Sequence, residues 1–349
     1  MSAQKRRVTE KIYICVLFLF ISSCMLSGCI TDAKYQRQYI GVFDTVVQII
    51  GYEGSRGAFD KNAELIYNKL CEYHRLFDIY NTYDGINNIK TVNDNAGISP
   101  VKVDYAIIEL LELSIEMYNI TEGRLNVAMG GVLSLWHEAW QNAQNGENIK
   151  FPNHDELKKA YEHCNINNIV INKEESTVYL SDGQMSIDVG AVAKGFAVEK
   201  VYEYASTLNI SSYLLNVGGN VRTFGVKADG GEWNIGIDDP FANGTKFSVR
   251  VSGTSVVTSG GYNRYFVYNG KKYNHIIDTK TLQPSEYCAS VTVICEDSGR
   301  ADALSTAFFN MLPYDGVNFA ESMDGVEVCY ITNDGKLLYT DGFADIKAD

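Results

Sequence analysis

Apolar positions along this chain recur first at helical spacing and later at strand spacing. Phe59, Ala63, Ile66, Leu70, Tyr73 and Phe77 lie three or four residues apart, so on a helix they form one stripe that must meet a core. Just before them Val42, Val46, Gln48 and Ile50 fall at even intervals and predict a first strand. Asp104 stands ahead of a second helical pattern, Ile107, Leu110, Leu111 and Ser114, where its carboxylate can cap a free N–H. Asn153 followed by Glu156 makes a capping-box start for a third helix. Between these two helices the polar stretch 137–150 reads as a surface insertion. From Asn168 onward β-branched and aromatic runs dominate, at 169–171, 178–180, 213–217, 233–237, 247–251, 256–259, 265–268 and 291–295, with helical patterns at 192–208 and 301–312. Many short hairpin-like strands with helices gathered elsewhere predict an α+β fold, a largely antiparallel sheet core with flanking helices. No repeat or low-complexity tract divides the chain, so residues 39–349 read as one domain behind a short polar tether, 29–38.

The N-terminus breaks this pattern. Lys5, Arg6, Arg7 and Lys11 precede an apolar run at 12–21, followed by Leu26-Ser27-Gly28-Cys29, which resembles a lipoprotein signal peptide. The run is short for a membrane span and suits the apolar region of an export signal. The expectation is a leader over residues 1–28, lipid on Cys29, and a body anchored to the extracytoplasmic face of the membrane. An uncleaved N-terminal anchor is the alternative, and it also places the body outside the cytoplasm.

Loss of residues 1–28 removes a net +3 and takes the formal charge from −13 to −16. Such a surface excludes nucleic acid as a partner, and it means that a bound anion needs local cations. Of eight cysteines, Cys15 and Cys24 leave with the leader and Cys29 takes lipid, so Cys71, Cys164, Cys288, Cys295 and Cys329 remain. That odd set without a CxxC supports neither a zinc site nor a full disulfide framework. Buried thiols are the plain expectation, with a Cys288–Cys295 pair left open.

Candidate chemistry concentrates in five segments. At 186–197 an apolar strand enters a Gly-containing turn that opens a helix, with Asp188 and Lys194 in it. Helix N-terminal amides and a Lys attract phosphate, whereas a carboxylate there must bind sugar, base or metal, so the combination points to a nucleotide. Asn216-Val-Gly-Gly-Asn220 and Thr258-Ser-Gly-Gly-Tyr-Asn-Arg264 are Gly turns with polar side chains beside them, able to bring backbone, hydroxyl or guanidinium against a ligand. Tyr273-Asn-His-Ile-Ile-Asp278 reads as a strand with His275 on the face of Tyr273 and Ile277, and His275 has the pKa for proton transfer. Asp302-Ala-Leu-Ser-Thr306 reads as a helix start whose carboxylate and two hydroxyls share a face, a set of hard oxygens suited to Mg²⁺. Each has a plain structural account too: Asp188 and Asp302 as capping residues, Lys194 as a solvated side chain, and the Gly turns as hairpins.

Taken in order, the Cys29 motif, Asp-Val-Gly-Ala-Val-Ala-Lys-Gly, Asn-Val-Gly-Gly-Asn, Thr-Ser-Gly-Gly-Tyr, His-Ile-Ile-Asp and Ala-Asp-Ala-Leu-Ser-Thr-Ala resemble the ApbE family, the FAD:protein FMN transferases. The resemblance covers about Tyr39 to Thr340 and implies a T-fold-like single catalytic domain. It further implies Mg²⁺-dependent transfer of FMN from FAD to a Thr or Ser of an acceptor protein, with release of AMP. The implied acceptors are flavin subunits of membrane electron-transfer complexes. By position it implies FAD contacts at Phe43, Tyr80, Arg124, Leu125, Asn126, Asp188, Lys194 and Ile276. It implies a metal site from the Ala191 carbonyl, Asp302 and Thr306, with Ser305 as a further ligand. His275 is the proton acceptor in this reading and Asp278 the reserve. Phe43-Asp44-Thr45, Asn87-Asn88 and Gly123-Arg-Leu-Asn126 depart from Met-Gly-Thr, Ser-Glu and Gly-Ala-Phe-Asp, which the family often carries. The alternatives are an FAD pyrophosphatase giving FMN and AMP, and a non-catalytic flavin-binding lipoprotein.

Overall fold

A computed structural model describes residues 32–348; the expected leader 1–28 and lipidation at Cys29 lie outside them. In chain order the strands are β1 (Ala33–Val42), β2 (Thr45–Glu53), β3 (Val101–Lys102), β4 (Ile169–Asn172), β5 (Thr177–Leu180), β6 (Tyr213–Val217), β7 (Asn220–Phe224), β8 (Trp233–Asp238), β9 (Thr245–Val251), β10 (Ser255–Gly260), β11 (Tyr265–Tyr268), β12 (Lys271–Asn274), β13 (Ser290–Cys295), β14 (Glu327–Ile331), β15 (Leu337–Tyr339) and β16 (Lys347–Ala348). The helices are α1 (Arg56–Phe77), α2 (Ile89–Asp94), α3 (Tyr105–Ile120), α4 (Gly130–Gln144), α5 (His154–Tyr161), α6 (Ala193–Thr207), α7 (Ser298–Phe309), α8 (Pro313–Glu321) and α9 (Asp341–Ile346).

Eight strands form one sheet in the order β1-β2-β6-β7-β10-β13-β14-β15, antiparallel throughout. The central strands are apolar on both faces because both faces are covered. On β13 and β14, Val291, Val293, Val328 and Tyr330 enter the core shared with α1, α6 and α7, while Ile294, Cys329 and Ile331 enter a second core under β8 and β9. The period of two along each strand thus separates two hydrophobic layers. A third cluster joins Val132, Trp136 and Ala139 of α4 to Leu157 of α5 and Phe266 of β11.

The predicted helical stripe is the buried face of α1, residue for residue. Asp104 caps α3 through Ala106 N at 2.9 Å, and Asn153 with Glu156 closes a capping box on α5. Four expectations are corrected. Residues 33–38 of the expected tether belong to β1, where Tyr35 and Tyr39 pack on Phe59 and Tyr67; an edge strand with one wet face has a polar composition. The expected insertion 137–150 is helical through Gln144, since Val132, Trp136 and Ala139 hold helical spacing into the core. The expected strand 273–278 ends at Asn274, and Asp278 builds a turn instead. Asp302 is not a helix start: α7 opens at Ser298 behind its cap Asp297, which places Asp302 in the second turn. All five described cysteines are free. Burial pushes the Cys164 thiol up to about 11 and Cys295 and Cys329 to about 12.

Candidate active site

The β1–β2 turn, the β6–β7 turn, the end of β10 and the start of β13 meet at one end of the main sheet, because register pairs Val47 with Val217, Val257 with Asn220 and Gly260 with Ser290. Gly218 permits this convergence. Its φ is +58°, and a Cβ there would fall 2.3 Å from Thr45 Oγ1, so the position needs glycine on two grounds.

Beside that end α6 crosses α7 at a contact that only Gly195 allows. A Cβ on Gly195 would lie 2.2 Å from the Ser298 carbonyl oxygen and 2.4 Å from Asp302 Cβ. The closeness lets Gly195 N–H donate to Asp302 Oδ2 at 2.9 Å, and Lys194 Nζ reaches the same oxygen at 3.2 Å. Asp302 is almost wholly buried, so its charge rests on these two donors. A second link lies one turn further along α6. The Glu199 carboxylate accepts from Ser298 N at 2.9 Å, the first amide of α7. Arg222 of β7 stands against it, with Nη2 donating at 3.3 Å and Nε at 3.1 Å without hydrogen-bond alignment, and its guanidinium covers the Tyr202 ring. Burial pushes the Glu199 carboxyl up in spite of Arg222 and the Ser298 amide.

Facing this crossing is a cleft lined by groups from distant segments. Asp78 accepts from Tyr80 N, from Asn81 N and Nδ2, and from the Tyr83 hydroxyl. These bonds outweigh its burial, hold its carboxyl below the usual range, and shape the loop that presents Tyr80. Tyr80 stacks on His137 at 5.5 Å, and His137 stacks on Trp140 at 5.8 Å. Burial, then the nearby charges of Asp188 and Asp44, push the Tyr80 hydroxyl up to about 12. Asp188 is raised by burial, against its bond from Gly190 N and the influence of His137. His275 donates Nδ1–H to the Arg264 carbonyl at 3.2 Å, a tautomer fixed by an acceptor that has no proton to give. Burial pulls His275 down to about 4, with the Arg264 and Lys194 charges acting the same way and the Arg264 carbonyl opposing. Tyr80 and His275 are open to water over more than a third of their surface, yet both ionise as desolvated groups.

Not every expected contact points into this cleft. Leu125 is buried in the main core. Arg124 is bonded to the Asn310 carbonyl, and Asn126 Nδ2 to the Cys164 carbonyl at 3.0 Å. Ile276 is buried, its carbonyl taken by Ser285 N. Asp278, 1 % exposed, accepts from Lys280 N and from the hydroxyls of Thr281 and Tyr287, which makes it a turn-builder rather than a free base. Phe43 lies edge-on to His74 at the tip of the β1–β2 turn. Two residues here escaped the sequence reading, His137 and Asp44; Arg264, whose guanidinium the sequence offered to a ligand, instead donates Nη2 to the Asp44 carbonyl at 3.1 Å. For His137 the i, i+3 step to Trp140 on a helical pattern was the available signal.

Among the described residues no three His, Cys, Asp or Glu gather as a metal site, but Mg²⁺ asks for hard oxygens and few carboxylates. Gly195 N, committed to Asp302, leaves the Ala191 carbonyl without a backbone partner at the mouth of α6. No described residue bonds the half-buried Thr306 hydroxyl, one turn along α7 from Asp302. These two oxygens and the Asp302 carboxylate fit the ion. Ser305 does not add to them: its hydroxyl bonds the Asp302 carbonyl at 2.9 Å and Ser259 at 2.8 Å, and so ties α7 to β10.

The ApbE family model matches residues 43–330. A Treponema pallidum FAD:protein FMN transferase is 32 % identical over 273 residues, 74 % of each chain. A Klebsiella pneumoniae protein of the same name is 27 % identical over 274 residues, 76 % of this chain and 83 % of its own. The crystal structure of the ApbE protein of Thermotoga maritima superposes with a TM-score of 0.81 at 26 % identity, covering 91 % of this chain and all of its own. The flavin transferase ApbE of Vibrio cholerae shares the fold, with a TM-score of 0.75 at 23 % identity over 90 % of this chain and all of its own. With a family match over most of its length and relatives aligned across three quarters of it, this chain belongs to the ApbE family.

Proposed function

We propose that this chain transfers the FMN portion of FAD to a Ser or Thr hydroxyl of an acceptor protein, with Mg²⁺ as cofactor and AMP as leaving group. One observation carries the reading: at the α6–α7 crossing a buried carboxylate lies beside an unclaimed carbonyl and an unclaimed hydroxyl, with Lys194 next to them. Bound by Asp302, Thr306 and the Ala191 carbonyl, Mg²⁺ would neutralise charge on the FAD diphosphate. Lys194 adds a second cation there. Tyr80, backed by His137 and Trp140, offers an aromatic face to a flavin or adenine ring. Asp188, which accepts from Gly190 N at 2.9 Å in the turn into α6, would hydrogen-bond the nucleotide.

In the reaction the acceptor hydroxyl oxygen bonds to the FMN-side phosphorus as the bond from that phosphorus to the bridging oxygen breaks. AMP departs with the electron pair. The hydroxyl proton passes to His275 Nε2, which is free to accept because Nδ1 carries the hydrogen bound to Arg264. Such chemistry asks chiefly for alignment and charge neutralisation. The basic and apolar leader ending in Leu-Ser-Gly-Cys29 supports a lipid-anchored, extracytoplasmic location, on the face where flavin subunits of membrane electron-transfer complexes would serve as acceptors.

The test is incubation with FAD, Mg²⁺ and such a subunit, followed by denaturing electrophoresis. Flavin fluorescence on the acceptor band, lost with Asp302→Ala, is the expected result. Release of free FMN and AMP with no labelled protein would identify an FAD pyrophosphatase instead.

A further inference from the structure

β11 and β12 form a separate two-stranded ribbon joined by Asn269 and Gly270. Both turn residues have positive φ, +48° and +78°, as a primed hairpin turn requires. Such a turn closes with a hydrogen bond between Tyr268 and Lys271. Antiparallel alternation then directs the backbone N–H and C=O of Phe266 and Arg264 toward β12, and those of Tyr265 and Val267 away from it. The bond from His275 Nδ1 to the Arg264 carbonyl agrees with this phase. Among the described residues no backbone bond reaches the outward groups of Tyr265 or Val267.

That free edge borders an open cavity of about 660 Å³, lined across from it by Gln144 at the end of α4 and by Glu147 in the turn that follows. Tyr265, Phe266 and Val267 all line it. Successive strand residues face opposite sides, so a cavity that touches all three abuts the strand's edge rather than either face. Val267 is itself 53 % exposed. The edge also runs into the cleft, since Arg264, the residue before β11, holds His275 through its carbonyl and the Phe43–Asp44 turn through its guanidinium.

We propose that the outer edge of β11 is the docking site for the acceptor, which binds there as an added extended strand and delivers its hydroxyl to His275. The inference rests on the transferase reading above. Main-chain pairing suits an enzyme that must hold a flexible loop of another protein, because its affinity comes from groups that every residue carries. Roughly two strand spacings, about 10 Å, separate a strand added to β11 from His275, a gap that about three extended residues cross.

Val267→Pro removes one outward N–H and leaves the pairing with β12 intact, a substitution that edge strands tolerate. Gln144→Trp fills the cavity from the opposite wall without touching the ribbon. The probe is a pool of random peptides with one central threonine, incubated with FAD and Mg²⁺ and scored by mass for peptide-bound FMN, with AMP release into water followed in parallel. Expected is a fall in labelling of about threefold to tenfold for Val267→Pro, the loss of one hydrogen bond, and a fall at least as large for Gln144→Trp, which blocks the edge, evenly across sequences and with FAD cleavage by water unchanged. Labelling at the level of the unaltered chain by either folded variant would overturn the docking site alone. No labelling by the unaltered chain while FAD is still cleaved would overturn the transferase reading and the docking site with it.

Discussion

Burial, reinforced by the Arg264 and Lys194 charges, pulls His275 down to about 4, which would keep it neutral across the physiological range and able to serve the proposed role of base. Since kcat/KM reports the free enzyme, its acid limb should fall near pH 4 rather than near the roughly 6.5 of an ordinary histidine. Below that limb the protonated ring cannot accept the hydroxyl proton. A pH–rate profile of AMP release checks this, and a limb at 6 to 7 would remove His275 from the role. His275→Ala should lower transfer by about 10² to 10⁴, the usual worth of a general base, with FAD affinity, measured by equilibrium titration, largely kept. Gly195→Ala tests the helix crossing. With Ser298 and Asp302 in the way of its Cβ, it should cost at least about 1–3 kcal/mol in urea unfolding and most of the activity, by parting Gly195 N from Asp302. At this scale Asp188, Lys194 and Asp302 were legible because each sits in a short motif with a charge in it. His137 and Asp44 were not, because the cleft joins them from separate stretches of chain.

The pair α6 and α7 is the element that builds the site, and Glu199 holds it. Its carboxylate receives the first amide of α7 while Arg222 of the neighbouring sheet closes over it. Breaking such a buried pair from one side leaves an uncompensated charge, so Glu199→Gln should lower stability by about 3–5 kcal/mol, read as a shift in the urea midpoint. An unchanged midpoint would deny the helices this tie. The sequence marked both helices but not their contact, because Gly195 and Ser298 are 103 positions apart and nothing local records an approach that the absence of a side chain permits. The polar stretch 137–150 misled for a related reason: α4 buries one narrow stripe, and Trp136 and Ala139 are diluted among polar neighbours. The segment 273–278 alternates like a strand, but the Asp278 turn draws the chain away after Asn274.

Across the whole molecule, a two-faced antiparallel sheet carries α1, α6 and α7 on one side and β8, β9 and α9 on the other, and its turns gather at one end. The α+β class and the largely antiparallel sheet were readable from the sequence as alternating apolar runs, whereas the second strand layer and the strand order were not, since neighbours such as β2 and β6 are far apart in the chain. The acidic surface makes the cations at the cleft the local exception to the overall charge. It follows that Lys194→Met should weaken FAD binding severalfold, more at low salt than at high salt as screening sets in, measurable by fluorescence titration. The central claim, that phosphorus transfer to protein is the work of this site, has one direct measurement: AMP and acceptor-bound flavin quantified in the same incubation with FAD and Mg²⁺. Equal amounts of the two, both lost in Asp302→Ala, are predicted; AMP matched by free FMN, with no flavin on protein, would contradict it.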